Sequence, residues 1–119
     1  KLAPALSRHA VELGKTQKIL LQVHLGREAT KFGLPPEQIA EVAAETAALP
    51  GIALQGLMGI APNGEDARPF FRQLRRLFEA LPAPSQQILS MGMTGDFETA
   101  IEEGATLVRI GTALFGARQ

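Results

Sequence analysis

Leu89-Ser90-Met91-Gly92-Met93-Thr94-Gly95-Asp96-Phe97-Glu98 decides how this chain folds. The apolar run from Gln87 to Met93 reads as a strand, and it passes through Gly92–Gly95 straight into a short helix expected over 96–103. Thr94 is placed to cap that helix, Phe97, Ala100 and Ile101 supply its buried face, and Gly104 suits a left-handed stop. Another apolar run, Thr106 to Ile110, follows at once. Strand, tight turn, helix, strand is a βα unit, and such units build parallel sheets.

The same alternation extends upstream. Ile19 to Leu25 and Ile52 to Ile60 are further strand candidates. Between them, Ile39, Val42, Ala43, Thr46 and Ala47 form an apolar stripe after Pro35-Pro36, a suitable helix start. Phe70, Leu74, Leu77, Phe78 and Leu81 make a stronger stripe at helical spacing, and Leu2 to Leu13 reads as a helix ended by Gly14. The order is α-β-α-β-α-β-α-β. Two closures compete: a doubly wound open sheet, complete at this length, or four units of a (β/α)8 barrel, which needs about 250 residues in all.

At 119 residues the chain is one domain by length, and a hydrophobic fraction of 45% is that of a globular protein. Twelve basic residues balance twelve acidic ones, so no net field favours nucleic acid or an anionic membrane. The absence of cysteine excludes disulfides, thiolate ligands and a cysteine nucleophile, and fits a reducing, cytoplasmic setting. No apolar run approaches the roughly 20 residues that span a bilayer. The first apolar stretch is broken at Ser7, Arg8 and His9, unlike a signal peptide, and without an initiator methionine the chain is expected to begin within something longer.

In either closure, ligands bind at the carboxyl ends of the strands. There the chain places Gly26-Arg27-Glu28, Gly59-Ile60-Ala61-Pro62, Gly92–Asp96, and Arg109-Ile110-Gly111-Thr112. Glycines admit an anion close to backbone N–H groups, a hydroxyl adds a donor, and a helix start adds partial positive charge. Thr94 and the pair Gly111-Thr112, on successive strands, therefore converge on a phosphate; the plainer alternative is a helix cap and a tight turn. Alternation puts Arg109 and Gly111 on one face and Val108 and Ile110 on the other, so Arg109 either shares the cavity of Gly111 or pairs outward with Glu102 or Glu103. Met58, Met91 and Met93 read as core or cavity lining, and Arg68, Arg72, Arg75 and Arg76 as a solvated helix face. No metal-ligand cluster, nucleophile elbow, P-loop or dinucleotide fingerprint is present.

Taken as blocks, Leu89–Glu98, Ala100-Ile101 and Gly104–Arg118 resemble the C-terminal signature of the pyridoxal phosphate homeostasis protein family. Gln55–Pro62 and Gln22–Gly33 match further blocks in the expected order, so the likeness covers essentially the whole chain. The resemblance implies an α/β fold, the C-terminal half of a (β/α)8 TIM-like barrel of the alanine racemase N-terminal type, with residues 1–119 forming that half in four βα units. It further implies that pyridoxal phosphate (PLP) is the cofactor and that Thr94, Gly111 and Thr112 hold its phosphate. Arg109 would face the pyridine nitrogen, and Met58 and Met93 would line the site. Because arginine does not give up its proton at ordinary pH, the ring nitrogen would stay unprotonated and the cofactor would be a poor electron sink. That suits a carrier of the cofactor in vitamin B6 homeostasis, without clear catalytic activity, and also suits a racemase.

Two departures qualify the likeness. His24 stands where the family has asparagine. The family's cofactor lysine belongs to the end of the first barrel strand, ahead of residue 1, and no catalytic lysine is expected among Lys1, Lys15, Lys18 and Lys31. The other readings are a PLP-dependent amino-acid racemase, which needs a lysine and a second base, and an inactive half-barrel that dimerises to remove its exposed sheet edges.

Overall fold

The computed structural model describes residues 2–26 and 33–110, and within them the expected alternation is complete. Helix α1 (Leu2–Glu12) leads to β1 (Gln17–Val23), α2 (Ile39–Ala47), β2 (Ile52–Gly59), α3 (Arg68–Glu79), β3 (Ile88–Met93), α4 (Phe97–Glu102) and β4 (Leu107–Arg109). Two single turns of 3-10 helix, Pro36–Gln38 and Ala83–Ser85, each carry a proline in their first two positions, Pro36 and Pro84, whose φ is already set for the turn.

The strand order chooses between the two closures. All four strands are parallel and lie side by side in chain order, β1-β2-β3-β4. A doubly wound sheet reverses direction at a switch point, and no reversal occurs here. Four units wound one way are half of a (β/α)8 barrel.

The core lies between the sheet and its helices. Leu57, Leu89 and Met91 on the strands and Phe71 and Leu74 on α3 have no exposed surface and belong to one cluster. At about 1.5–3 kcal/mol for each fully buried large side chain, this layer dominates the stability of the unit. On α3 the burial differs from the expected stripe. Its centre is Phe71, Leu74 and Phe78, while Phe70 and Leu77 pack on its flanks. Spacing alone cannot separate Phe70 from Phe71; the sheet, lying nearer Phe71, does. On α4 only Ala100 is buried, and Ile101 is exposed, because a helix of six residues directs little more than one position at the sheet.

Alternation along the strands then defines the opposite, inner face. Ile19, Leu21, Val23, Leu57, Leu89, Met91 and Val108 join the helix-side layer. The residues between them point the other way. Gln22, Met58, Ser90 and Leu107 are successive register partners across all four strands, forming one row of the inner face. In a closed barrel such rows make the interior layers. None of the helices described is long and apolar enough to cross a membrane.

Replacing Phe71 with Ala should cost about 3–5 kcal/mol of unfolding free energy, the usual range for a buried aromatic. Phe70→Ala should cost less. Urea denaturation of both variants checks the order, and a larger loss at Phe70 would contradict the packing described.

Candidate functional site

Ser90 pairs with Leu107 and Met93 pairs with Arg109, so three steps along β3 match two along β4. The extra residue is accommodated at Gly92, where φ is +103°. A Cβ there would stand 2.6 Å from the Ala100 Cβ and 3.2 Å from Val108 Cγ1, so only glycine fits. The bulge turns the end of β3 and sets Thr94 one residue beyond the partner of Arg109.

The turn that follows is closed by its own backbone and by Asp96. The Asp96 N–H donates to the Met93 carbonyl at 3.1 Å, and Asp96 Oδ1 accepts from the Met93 N–H at 2.8 Å. Asp96, rather than Thr94, occupies the N-cap position just before α4, and neither caps it through a side chain. The expected Thr94 cap is therefore absent, because the bulge and the Asp96 bond hold Thr94 at the outside of the turn. Thr94 is exposed, and among the described residues its hydroxyl has no hydrogen-bond partner. Met93, Thr94, Gly95 and Asp96 form one wall of a 330 Å³ crevice, with Ile60, Ala61 and Asn63 of the β2–α3 loop as the other.

Arg109 settles the second question that the sequence poses. Its side chain lies on the inner face and crosses β3: Nη1 donates to Ser90 Oγ at 2.5 Å, and Nη2 reaches the Gly59 carbonyl at 3.4 Å. It does not turn outward to Glu102 or Glu103. Those carboxylates, at the end of α4, are engaged by α3, where Arg68 pairs with both and Arg72 Nε lies 3.2 Å from Glu103. Arg75 reaches the Glu103 carbonyl and also pairs with Glu79. Three of the four α3 arginines are thus ion-pair partners, not a merely solvated face, and two of them anchor the helix that follows the site loop. The Arg68 hydrogen bond, with a further contribution from Arg72, holds the Glu103 carboxyl below its ordinary range. Hydrogen bonds to Glu102 and then Glu103 raise Arg68.

Of the other predicted residues, Met93 lines the crevice, while Met58 sits lower on the inner face beside Ser90. Gly111 and Thr112 lie outside the described residues, as do Arg27, Glu28 and Lys31. Lys15 and Lys18 are exposed, Lys15 before β1 and Lys18 near its start, at the end of the sheet away from the crevice. Sequence reasoning missed Ser90, Asn63 and Asp96. Ser90 had a signal, since it is a hydroxyl in an otherwise apolar strand. Asn63 had none beyond its loop, and the Asp96 bond depends on the turn's final shape.

The family model of the alanine racemase N-terminal domain matches residues 1–119. The chain is 46% identical to the pyridoxal phosphate homeostasis protein of Aquifex aeolicus over 124 residues, covering 99% of this chain and 54% of that protein. It is also similar to the crystal structure of an unknown protein from Bifidobacterium adolescentis, with TM-score 0.87 and 41% identity, over 96% of this chain and 49% of that one. PipY of Synechococcus elongatus, in its structure with PLP bound, gives TM-score 0.79 and 36% identity, over 97% of this chain and 56% of PipY. The chain spans about half the length of the curated relatives it matches.

The ion pairs make a pH prediction. A carboxyl held below its ordinary range stabilises the folded chain above that range and loses the contribution as pH falls through the depressed value. Glu103→Gln should therefore melt lower than the parent at neutral pH, and the two should converge in acid. Melting curves that stay parallel down to the acid limit would show that Glu103 contributes no such term.

Proposed function

The chain belongs to the alanine racemase N-terminal domain family, and from that premise we propose that the protein containing it binds pyridoxal 5'-phosphate and serves intracellular PLP homeostasis without catalysing a reaction of its own. Residues 1–119 are, in this proposal, the C-terminal half of one PLP-binding barrel domain working in the cytoplasm. The observation that carries the reading is the position of Arg109. Its guanidinium lies on the inner face at the same strand ends as the crevice walled by Met93, Thr94 and Gly95.

The residues present fit the cofactor. Thr94 offers an exposed hydroxyl without a partner among the described residues, on a glycine-flanked turn that a phosphate can approach. Gly111 and Thr112 join the phosphate site by the family resemblance. Arg109 donates to the ring nitrogen and cannot protonate it, so the nitrogen keeps its lone pair. Met93 borders the crevice, and Met58 supplies apolar surface on the inner face. When bound, PLP supplies an aldehyde able to join an amine. Among the described residues no lysine lies at this end of the sheet, where the titratable side chains include His24 after β1 and Asp96 in the crevice wall, the latter bonded to the Met93 N–H. That the relatives carry the name of homeostasis proteins supports a carrier over a racemase.

An intact mass of the natural protein, before and after borohydride reduction with added PLP, tests this. A polypeptide near twice this size that gains one reduced cofactor supports the proposal, and one that gains none and leaves PLP absorption unchanged refutes it. In the same protein, Thr94→Ala should weaken PLP about tenfold, as expected for losing one hydrogen bond to a charged group. Unchanged affinity would remove this loop from the site.

A further inference from the structure

We propose that Ser90 is a positioning residue for Arg109, holding the guanidinium over the inner face through partners that, among the described residues, are all uncharged, and so directing its charge at the ligand. The inference rests on the reading that Arg109 meets the ring of a bound cofactor.

Ser90 is 2% exposed and stands between Leu89 and Met91, both fully buried on the helix side. A hydroxyl buried in an apolar strand carries a desolvation cost unless it is bonded. The bond it makes is to Arg109 Nη1, nineteen residues later. The register shows how particular this contact is. Arg109 stands opposite Met93, whereas Ser90 stands opposite Leu107, so the arginine side chain runs back along the sheet to reach it. It then continues over β3 to the Gly59 carbonyl, the next one beyond the last β2–β3 register pair, Met58 with Ser90.

Both acceptors are uncharged, and among the described residues no carboxylate lies within ion-pair distance of Arg109. The nearest carboxylates in sequence, Glu102 and Glu103, are engaged by Arg68 and Arg72. The choice of partner matters for recognition. A carboxylate would orient the guanidinium and also cancel much of its field. A hydroxyl and a carbonyl orient it and leave the field in place. Two of the five guanidinium N–H donors are occupied in this way, leaving others for a ligand. Such a group accepts a ring whose nitrogen presents a lone pair and repels one whose nitrogen carries a proton. Ser90 thus acts on the ring end of the ligand, separately from Thr94 at the phosphate end.

The test compares the intact natural protein with Ser90→Ala, Ser90→Thr and Ser90→Cys, measuring affinity for PLP, affinity for inorganic phosphate, and the absorption maximum of bound PLP. Ser90→Ala should lose about tenfold in PLP affinity and shift the absorption maximum, with phosphate affinity unchanged. Ser90→Thr, which keeps the hydroxyl, should restore both. If Ser90→Ala does not fold, Ser90→Cys replaces it, since sulfur keeps the shape and accepts weakly. A variant without the hydroxyl that matches the parent in affinity and spectrum overturns the inference. So does one that loses phosphate and PLP affinity in parallel, because that marks a general structural role. A parent that binds phosphate but not PLP overturns the proposed function itself, and this inference with it.

Discussion

The packing of α3 on the sheet is the interaction from which the rest of the structure follows. Phe71 and Leu74 share one buried cluster with Leu57 of β2 and with Leu89 and Met91 of β3. That layer fixes which face of each strand is covered by helix. Because side chains alternate along a strand, it also fixes which residues look the other way. Met58 and Ser90 reach the inner face only because Leu57, Leu89 and Met91 are held on the helix side.

The ends of the strands depend on a second, electrostatic layer. Helix α4 is short and buries only one side chain, so apolar packing alone is a weak anchor for it. Arg68 and Arg72 of α3 bind Glu102 and Glu103 at its far end, and Arg75 adds the Glu103 carbonyl. Isolated surface pairs stabilise little, but pairs that share partners lose less conformational freedom for each bond formed. The consequence for the site is a separation of charge. With Glu102 and Glu103 occupied on the outer side, the partners of Arg109 among the described residues are the uncharged Ser90 hydroxyl and Gly59 carbonyl on the inner side.

The crevice between the β2–α3 and β3–α4 loops joins these two layers. Its walls come from two segments well separated in sequence, Ile60–Asn63 and Gly92–Asp96, carried to one place by parallel strands in register. The bulge at Gly92 turns the loop so that Thr94 faces outward while Asp96 closes the turn from within. A parallel sheet presents its strand ends together, which is why ligand sites gather there across this fold class. The likeness to PipY and to the Bifidobacterium protein extends over nearly the whole of this chain and about half of each of theirs.

The sequence by itself determined the elements and their order. Each apolar run bounded by turn residues became a strand, and each helical stripe became a helix, with ends displaced by a residue or two. Those features are local, set by side-chain periodicity and by proline and glycine conformation. It also marked the strand ends as the place for chemistry, and Thr94 and Arg109 as residues of interest. Tertiary structure decided what periodicity leaves degenerate. Strand order, which separates a half-barrel from a doubly wound sheet, depends on where helices cross and not on their pattern. Whether Phe70 or Phe71 is central depends on where the sheet lies. The partner of Arg109 was open between a helix carboxylate and the interior because both lie within reach of so long a side chain. The register shift at Gly92 and the prior claim of Arg68 and Arg72 on Glu102 and Glu103 resolved it in favour of Ser90.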